Sequence, residues 1–175
     1  KGEYGEGDIF LGVVVPETRK LVKKYKNIAL KDAIKLLQSK IHEERLAALL
    51  ILVEKFQSGQ EKEKIYNLYL KNTKYINNWD LIDLSAGKIM GEHLFDKSKN
   101  ILCKLAKSIN IWERRIAVMA TSDFIKKNEF KTGDFFMSLR IAITGKKFTP
   151  PITDSTIILG KGETLRRIGE IIHND

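Results

Sequence analysis

An all-α body of short, successively packed helices, followed by a small C-terminal appendage, is the fold class this sequence predicts. Three observations predict it. The chain of 175 residues has three prolines, Pro16, Pro150 and Pro151, so the long stretch between them is free of the strongest helix breaker. From Pro16 to about Lys127 the apolar residues recur three and four apart, as successive amphipathic helices require. Paired helices then come round at a spacing of roughly 35–40 residues, within the range of stacked helical repeats.

Pro16 suits a first helical position and opens a helix running to Tyr25. A second segment spans about Leu30 to Gln38. A third spans about His42 to Phe56, with Leu46, Leu49, Leu50, Val53 and Phe56 on one apolar stripe, and Ser58-Gly59 ends it. Further helical patterns cover Glu61 to Leu70, Trp79 to Met90, Asn100 to Ser108 and Ile111 to Lys127. The spacing of the pairs is that of a HEAT-like repeat solenoid, although a non-repetitive helical bundle gives the same periodicity. After Phe130 the pattern stops. Lys131-Thr132-Gly133-Asp134 is a break, Gly145 to Pro151 is turn-rich, and Ile152 to Asp175 can hold short helices interrupted at Gly160 and Gly162. Residues 1–130 are thus expected to form the repeat domain, and residues 131–175 a helical appendage.

Composition narrows the function classes. With 43% hydrophobic residues the chain can bury a continuous core, and no stretch reaches the roughly 18 apolar residues of a membrane span. A soluble, cytoplasmic protein without a membrane partner is expected. Cys103, the only cysteine, lies among apolar residues; it can form neither an internal disulfide nor a zinc cluster and reads as a core filler. The formal net charge of +9 is the footprint of a protein that meets phosphate backbones, and a solubilising surface explains it equally well.

Two segments carry the candidate chemistry. In Asn77-Asn78-Trp79-Asp80-Leu81-Ile82-Asp83, a helix starting near Trp79 stacks Trp79 and Asp83 on one face, with Asp80 off it. Taken alone these residues favour a plain structural role: Trp79 a core aromatic, Asp80 a first-turn acid favoured by the helix dipole, Asp83 a solvated carboxylate. In Asn110-Ile111-Trp112-Glu113-Arg114-Arg115, Asn110 can cap a helix whose first turns carry two arginines. Cations near a helix N-terminus oppose its dipole. An external anion such as a phosphate accounts for both, while Glu113 could partner one of them.

These segments, with the opening Tyr4-Gly5-Glu6-Gly7-Asp8-Ile9-Phe10-Leu11-Gly12-Val13 and Val15-Pro16-Glu17-Thr18-Arg19, resemble the AlkD-like DNA alkylation repair proteins over about residues 3 to 130. The resemblance implies a HEAT-like solenoid that grips duplex DNA on a basic concave face and removes cationic N3- or N7-alkylated purines without flipping the base. It implies that Asp83 is the catalytic carboxylate and Trp79 an aromatic wall beside the deoxyribose. Arg115 would anchor a backbone phosphate with Arg114 beside it, and Tyr4 would line the same cleft. No metal and no organic cofactor is implied, and the protein is expected to act as a monomer. Relative to that family, the chain begins almost at the opening signature and shows no Ala-Ile/Val-Gly-Trp-like helix after Phe130, so a domain truncated at both ends is expected. Instead, Leu139-Arg140-Ile141-Ala142-Ile143-Thr144-Gly145, Pro150-Pro151 and Leu165-Arg166-Arg167-Ile168 resemble the C-terminal anticodon-binding region of glutamyl-tRNA synthetases, over about residues 139–168. Aminoacylation does not follow, since the catalytic domain of a synthetase is absent.

Other signals are weak. Gly160-Lys161-Gly162-Glu163-Thr164 and Thr144-Gly145-Lys146-Lys147 lack the spacing of a P-loop, and His42-Glu43-Glu44-Arg45 lacks the second histidine of a zinc-protease helix. His42, His93 and His173 read as core or surface histidines, and Lys20, Lys23, Lys24 and Lys26 as a solvated face or a phosphate track. The rivals to a glycosylase are a non-catalytic HEAT-like scaffold that binds nucleic acid and a protein-interaction scaffold.

Overall fold

The computed structural model describes residues 7–127, 159–160 and 162–167. The chain divides into two compact units, Lys1–Phe124 and Ile125–Asp175. Within the second unit, residues 162–167 are helical.

The first unit is all-α and solenoid-like, as the sequence predicts. Its helices are α1 (Val15–Tyr25), α2 (Leu30–Leu37), α3 (His42–Gln57), α4 (Lys62–Lys71), α5 (Trp79–Asp83) and α6 (Asn100–Ala106), with α7 (Ile111–Lys127) running across the division. A 3-10 turn at Thr73–Tyr75 precedes α5, and a π-helical turn at Gly87–Gly91 follows it. Most of the helices bury one narrow stripe: Thr18 and Val22 in α1, Ala33 and Leu37 in α2, Ile65 and Tyr69 in α4, Leu102 and Leu105 in α6. Pro16 lies in the first turn of α1, where its missing N–H has no intrahelical acceptor to lose.

α3 is different. The sequence suggests one apolar stripe, yet Leu46, Ala48, Leu49, Leu50, Ile51, Leu52, Val53 and Phe56 are all buried, so apolar residues wrap the whole helix. The reason is its neighbours: α1, α2, α4, α5 and the π-helical turn all pack against it. A helix covered on nearly every side keeps only a narrow solvent edge, at Glu44, Ala47 and Glu54.

Two expectations change at the level of side chains. The helix expected from Trp79 to Met90 is interrupted after Asp83. The Ser85 hydroxyl donates to the Leu81 carbonyl at 2.5 Å, the acceptor that the Ser85 N–H would take in a continuous helix, and that N–H donates to Ile82 O instead. Tyr69 fixes the arrangement, its hydroxyl 2.9 Å from Ser85 Oγ in the buried interior. The break delimits α5 as a helix of five residues. Cys103 is a correction: it is exposed, because Leu102 and Leu105 form the core face of α6 and residue 103 turns away from it.

Because α3 is the shared core, truncating it is expected to destabilise the protein more than truncating any peripheral helix. Leu49→Ala, at a fully buried position, should cost about 2–5 kcal/mol. Urea denaturation of wild type and variant measures it.

Candidate active site

Asn78 starts α5. It is extended and buried, and its Oδ1 accepts the Trp79 N–H at 2.8 Å. Over the next turn each side chain goes somewhere different. Leu81 and Ile82 enter the core, Asp80 turns toward α3, and Trp79 and Asp83 face outward one turn apart. Trp79 is 48% exposed, so it is not the core aromatic that the isolated residues suggest.

The carboxylate of Asp83 meets the guanidinium of Arg115, three residues after Trp112 on α7. Arg115 Nε donates to Asp83 Oδ1 at 2.8 Å and Nη2 to Oδ2 at 2.7 Å, a two-pronged ion pair. The two side chains keep 27% and 39% of their surface, respectively, open to solvent. Asn110 caps α7 as its sequence position suggests, Oδ1 accepting the Trp112 N–H at 2.9 Å. Arg114 is turned back: its Nη1 donates to the carbonyls of Ser108 and Ile109 at 2.8 and 2.9 Å. Glu113 accepts from the Thr73 hydroxyl at 3.0 Å. Asp83 and Arg115 are thus brought together, with Trp79 one turn from Asp83 on the same outward side of α5; Arg114 braces the turn before α7, and Tyr4 lies outside the described residues.

Beneath α5 runs a buried network that sequence reasoning missed. His42, the first residue of α3, has Nε2 2.8 Å from Asp80 Oδ2 and Nδ1 3.2 Å from Asp8 Oδ2. Asp8 also meets Arg45 Nη2 at 2.6 Å and the Asn78 amide at 3.3 Å. The side chains of Asp8 and His42 are each 5% exposed. Burial alone would lower the imidazole pKa, but the hydrogen bonds and charges of Asp80 and Asp8 outweigh it and raise the pKa above its ordinary value. Burial would raise the Asp8 pKa; Arg45, His42 and Asn78 hold it below the ordinary value instead.

The neighbouring Glu43 anchors the same N-terminal segment. Its carboxylate accepts the N–H groups of Leu11, Gly12 and Val13, at 2.8 Å from Gly12. Gly12 has φ +79°, a left-handed conformation that suits glycine and helps the three donors converge. Ile9 completes the attachment with a parallel bridge to Ile41, its carbonyl accepting the His42 N–H at 2.8 Å. Phe10 stacks on the His42 ring at 4.7 Å between centroids.

A family model described as DNA alkylation repair enzyme matches residues 2–144. The chain belongs to the DNA alkylation repair enzyme family. The match runs beyond residue 130, where the helical periodicity of the sequence ends. Curated relatives with partial similarity are glutamate–tRNA ligases. That of Fervidobacterium nodosum is 38% identical over 69 residues, 39% of this chain and 14% of the ligase. That of Borreliella afzelii is 42% identical over 45 residues, covering 26% and 9%. That of Pelagibacter ubique is 37% identical over 84 residues, covering 46% and 18%. The chain therefore spans less than a fifth of each of these ligases. No solved structure matches.

In this family member the buried network contributes to the pH dependence of stability. His42, whose folded pKa is raised above 6.5, contributes stability that is fully present below pH 6.5 and is lost as pH rises through the folded value. Asp8, whose folded pKa is lowered from 3.8, contributes stability present above pH 3.8 and lost as pH falls through the folded value. Thermal midpoints measured across pH should therefore fall on the alkaline side in wild type, and that alkaline loss should be absent from His42→Gln.

Proposed function

We propose that this DNA alkylation repair family member is a DNA glycosylase that hydrolyses the N-glycosidic bond of cationic N3- and N7-alkylpurines in duplex DNA, leaving the lesion stacked. The observation that carries the reading is the outward-facing constellation of a half-exposed indole, a carboxylate one helical turn below it and an arginine forked onto that carboxylate.

The chemistry fits such a substrate. An alkylated N7 places positive charge on the purine, so the base departs as a neutral group and needs little protonation. The bond electrons leave with the base, and the sugar becomes oxocarbenium-like. A carboxylate held beside C1′ stabilises that charge and orients the attacking water, while the face of Trp79 attracts the same cation. Asp83 is the carboxylate in this scheme and Trp79 the wall. Arg115 binds a backbone phosphate, with Arg114 bracing the start of its helix and Tyr4 lining the cleft. A phosphate that draws Arg115 toward the DNA also uncovers Asp83, so docking and exposure of the acid become one event. The net charge of +9 favours the approach of DNA at any sequence. No cofactor enters the scheme. The protein works as a cytoplasmic monomer at the nucleoid; among the described residues, no helix is long and apolar enough to cross a membrane.

A second reading has an observation in its favour. Asp83 is engaged by Arg115, as suits a HEAT-like scaffold that keeps its nucleic-acid surface without cleaving anything. Residues 139–168, with their resemblance to a synthetase's anticodon-binding region, would then add a second nucleic-acid contact.

Release of 7-methylguanine from methylated duplex DNA separates the two. Wild type should release the base, and Asp83→Asn should slow single-turnover release by about 10²–10³-fold while still binding DNA. Equal rates in both proteins remove Asp83 from the chemistry. Salt-dependent binding with no release by wild type selects the scaffold.

A further inference from the structure

Resting on the glycosylase reading, we propose that His42 is a positioning residue for the Trp79–Asp83 helix, clamping α5 to the N-terminal segment as an imidazolium and making the geometry of the site depend on pH.

A doubly protonated ring satisfies the geometry on both sides. Both ring nitrogens of His42 face carboxylate oxygens, Nε2 that of Asp80 and Nδ1 that of Asp8. A neutral imidazole carries one N–H and can donate to only one of them; its other nitrogen would turn a lone pair toward the second carboxylate. The groups around the ring are few. From the N-terminal segment come Asp8 and the stacked Phe10, from α5 comes Asp80, and from α3 itself come Arg45, on Asp8, and Glu43, saturated by backbone N–H groups. With the ring protonated, the charges of Asp8, Asp80, His42 and Arg45 sum to zero.

The two carboxylates are unequal when the ring loses its proton. Asp8 keeps Arg45 and the Asn78 amide. Asp80 has the N–H of Leu81, which lies on its own helix and cannot hold α5 to anything else. The bond that gives way is therefore the one between His42 and Asp80, and the residues it releases are the neighbours of Asp80 on a single helical turn. Trp79 is directly adjacent in the chain, and Asp83 is one turn away. A side chain that touches no substrate thereby governs where the indole and the carboxylate stand, and displacement of about 1 Å in such groups can slow chemistry about a hundredfold.

The test needs a signal from Trp79 that does not depend on turnover. The chain holds two tryptophans, so 5-fluorotryptophan labelling gives two 19F resonances, assigned with Trp112→Phe. In wild type the Trp79 resonance should titrate with the same midpoint as the His42 ring protons, above 6.5, with helical circular dichroism unchanged. Single-turnover release of 7-methylguanine should fall about tenfold to a hundredfold through that midpoint, with the DNA Kd nearly constant. In His42→Gln the transition should vanish. In Asp80→Asn, which retains the imidazole, its midpoint should drop and Trp79 should no longer follow it. A His42 midpoint at or below 6.5 in wild type, a Trp79 resonance indifferent to it, or the same transition surviving in His42→Gln each overturns the proposal. A Trp79 signal that follows His42 in a protein releasing no base at any pH defeats the glycosylase reading alone and leaves the clamp standing.

Discussion

The rest of the site depends on the rule that a buried charge must find its opposite. Asp8, His42, Arg45 and Asp80 come from three separate pieces of chain, and burying any one of them without the others would cost several kcal/mol. Together they pair charge with charge in a small volume, although Arg45 Nε and Nη2 have no aligned hydrogen-bond acceptor. The consequence is conformational. The N-terminal segment cannot lift away without stranding Arg45, and α5 cannot rotate without stranding His42. Glu43 repeats the logic with backbone donors in place of charged ones, drawing Leu11, Gly12 and Val13 onto the start of α3. An irregular stretch of chain is thereby held to the domain through polar contacts, even though Ile9, Phe10 and Leu11 remain largely exposed.

That constraint explains how a helix of five residues can act as a rigid mount. A helix this short has almost no stability of its own. α5 is held from three directions instead: by Asn78 at its start, by Leu81 and Ile82 in the core, and by Asp80 on His42. Trp79 and Asp83 occupy the one direction left. The Ser85–Leu81 hydrogen bond ends the helix just below Asp83, so the π-helical turn can take a different course and carry Ile89 and Met90 into the core. The candidate site sits on the shortest α-helix named among the described residues because every other side of that helix is occupied.

The helices were legible in the sequence because their signal is local. Apolar spacing, Pro16, Asn110 and the Ser58-Gly59 stop all act within a few residues. What the sequence concealed acts over distance or in fine direction. His42 lies 34 residues from Asp8 and 38 from Asp80, and no local pattern marks such partners. Asp80 read as an ordinary first-turn acid because helix-dipole logic is satisfied whether or not an imidazole waits beside it. Arg114 and Arg115 are adjacent and chemically identical, and the roughly 100° between them sends one to Asp83 and the other back to the carbonyls of Ser108 and Ile109. Cys103 misled for the same reason: apolar neighbours in sequence say little about which side of a short helix faces inward. A sharper signal was present in the opening segment, where Asp8 stands at the head of the apolar run Ile9 to Val15 with no base between Lys1 and Arg19, a charge that demands a distant partner.

The Asp83–Arg115 pair presents the final physical question, which is why it exists at all. Half-solvated ion pairs add about 0–1 kcal/mol to stability, because water and salt screen them and both side chains surrender freedom. The helices that carry the two residues are already fixed by Asn78, His42, Asn110 and the core, so the pair is not needed to hold them. A contact of little structural value, built from a forked guanidinium that also matches a phosphate, resembles a latch more than a fastening. Its weakness is then the useful property. An arginine bound deeply and dryly to Asp83 could not be drawn off by a DNA backbone, and a carboxylate left bare beside an exposed indole would have nothing to keep it aligned before the substrate arrives. On the proposed glycosylase reading, partial exposure would permit both, alignment in the free protein and surrender to a phosphate, and it arises because α5 and α7 meet at the edge of the core and not within it.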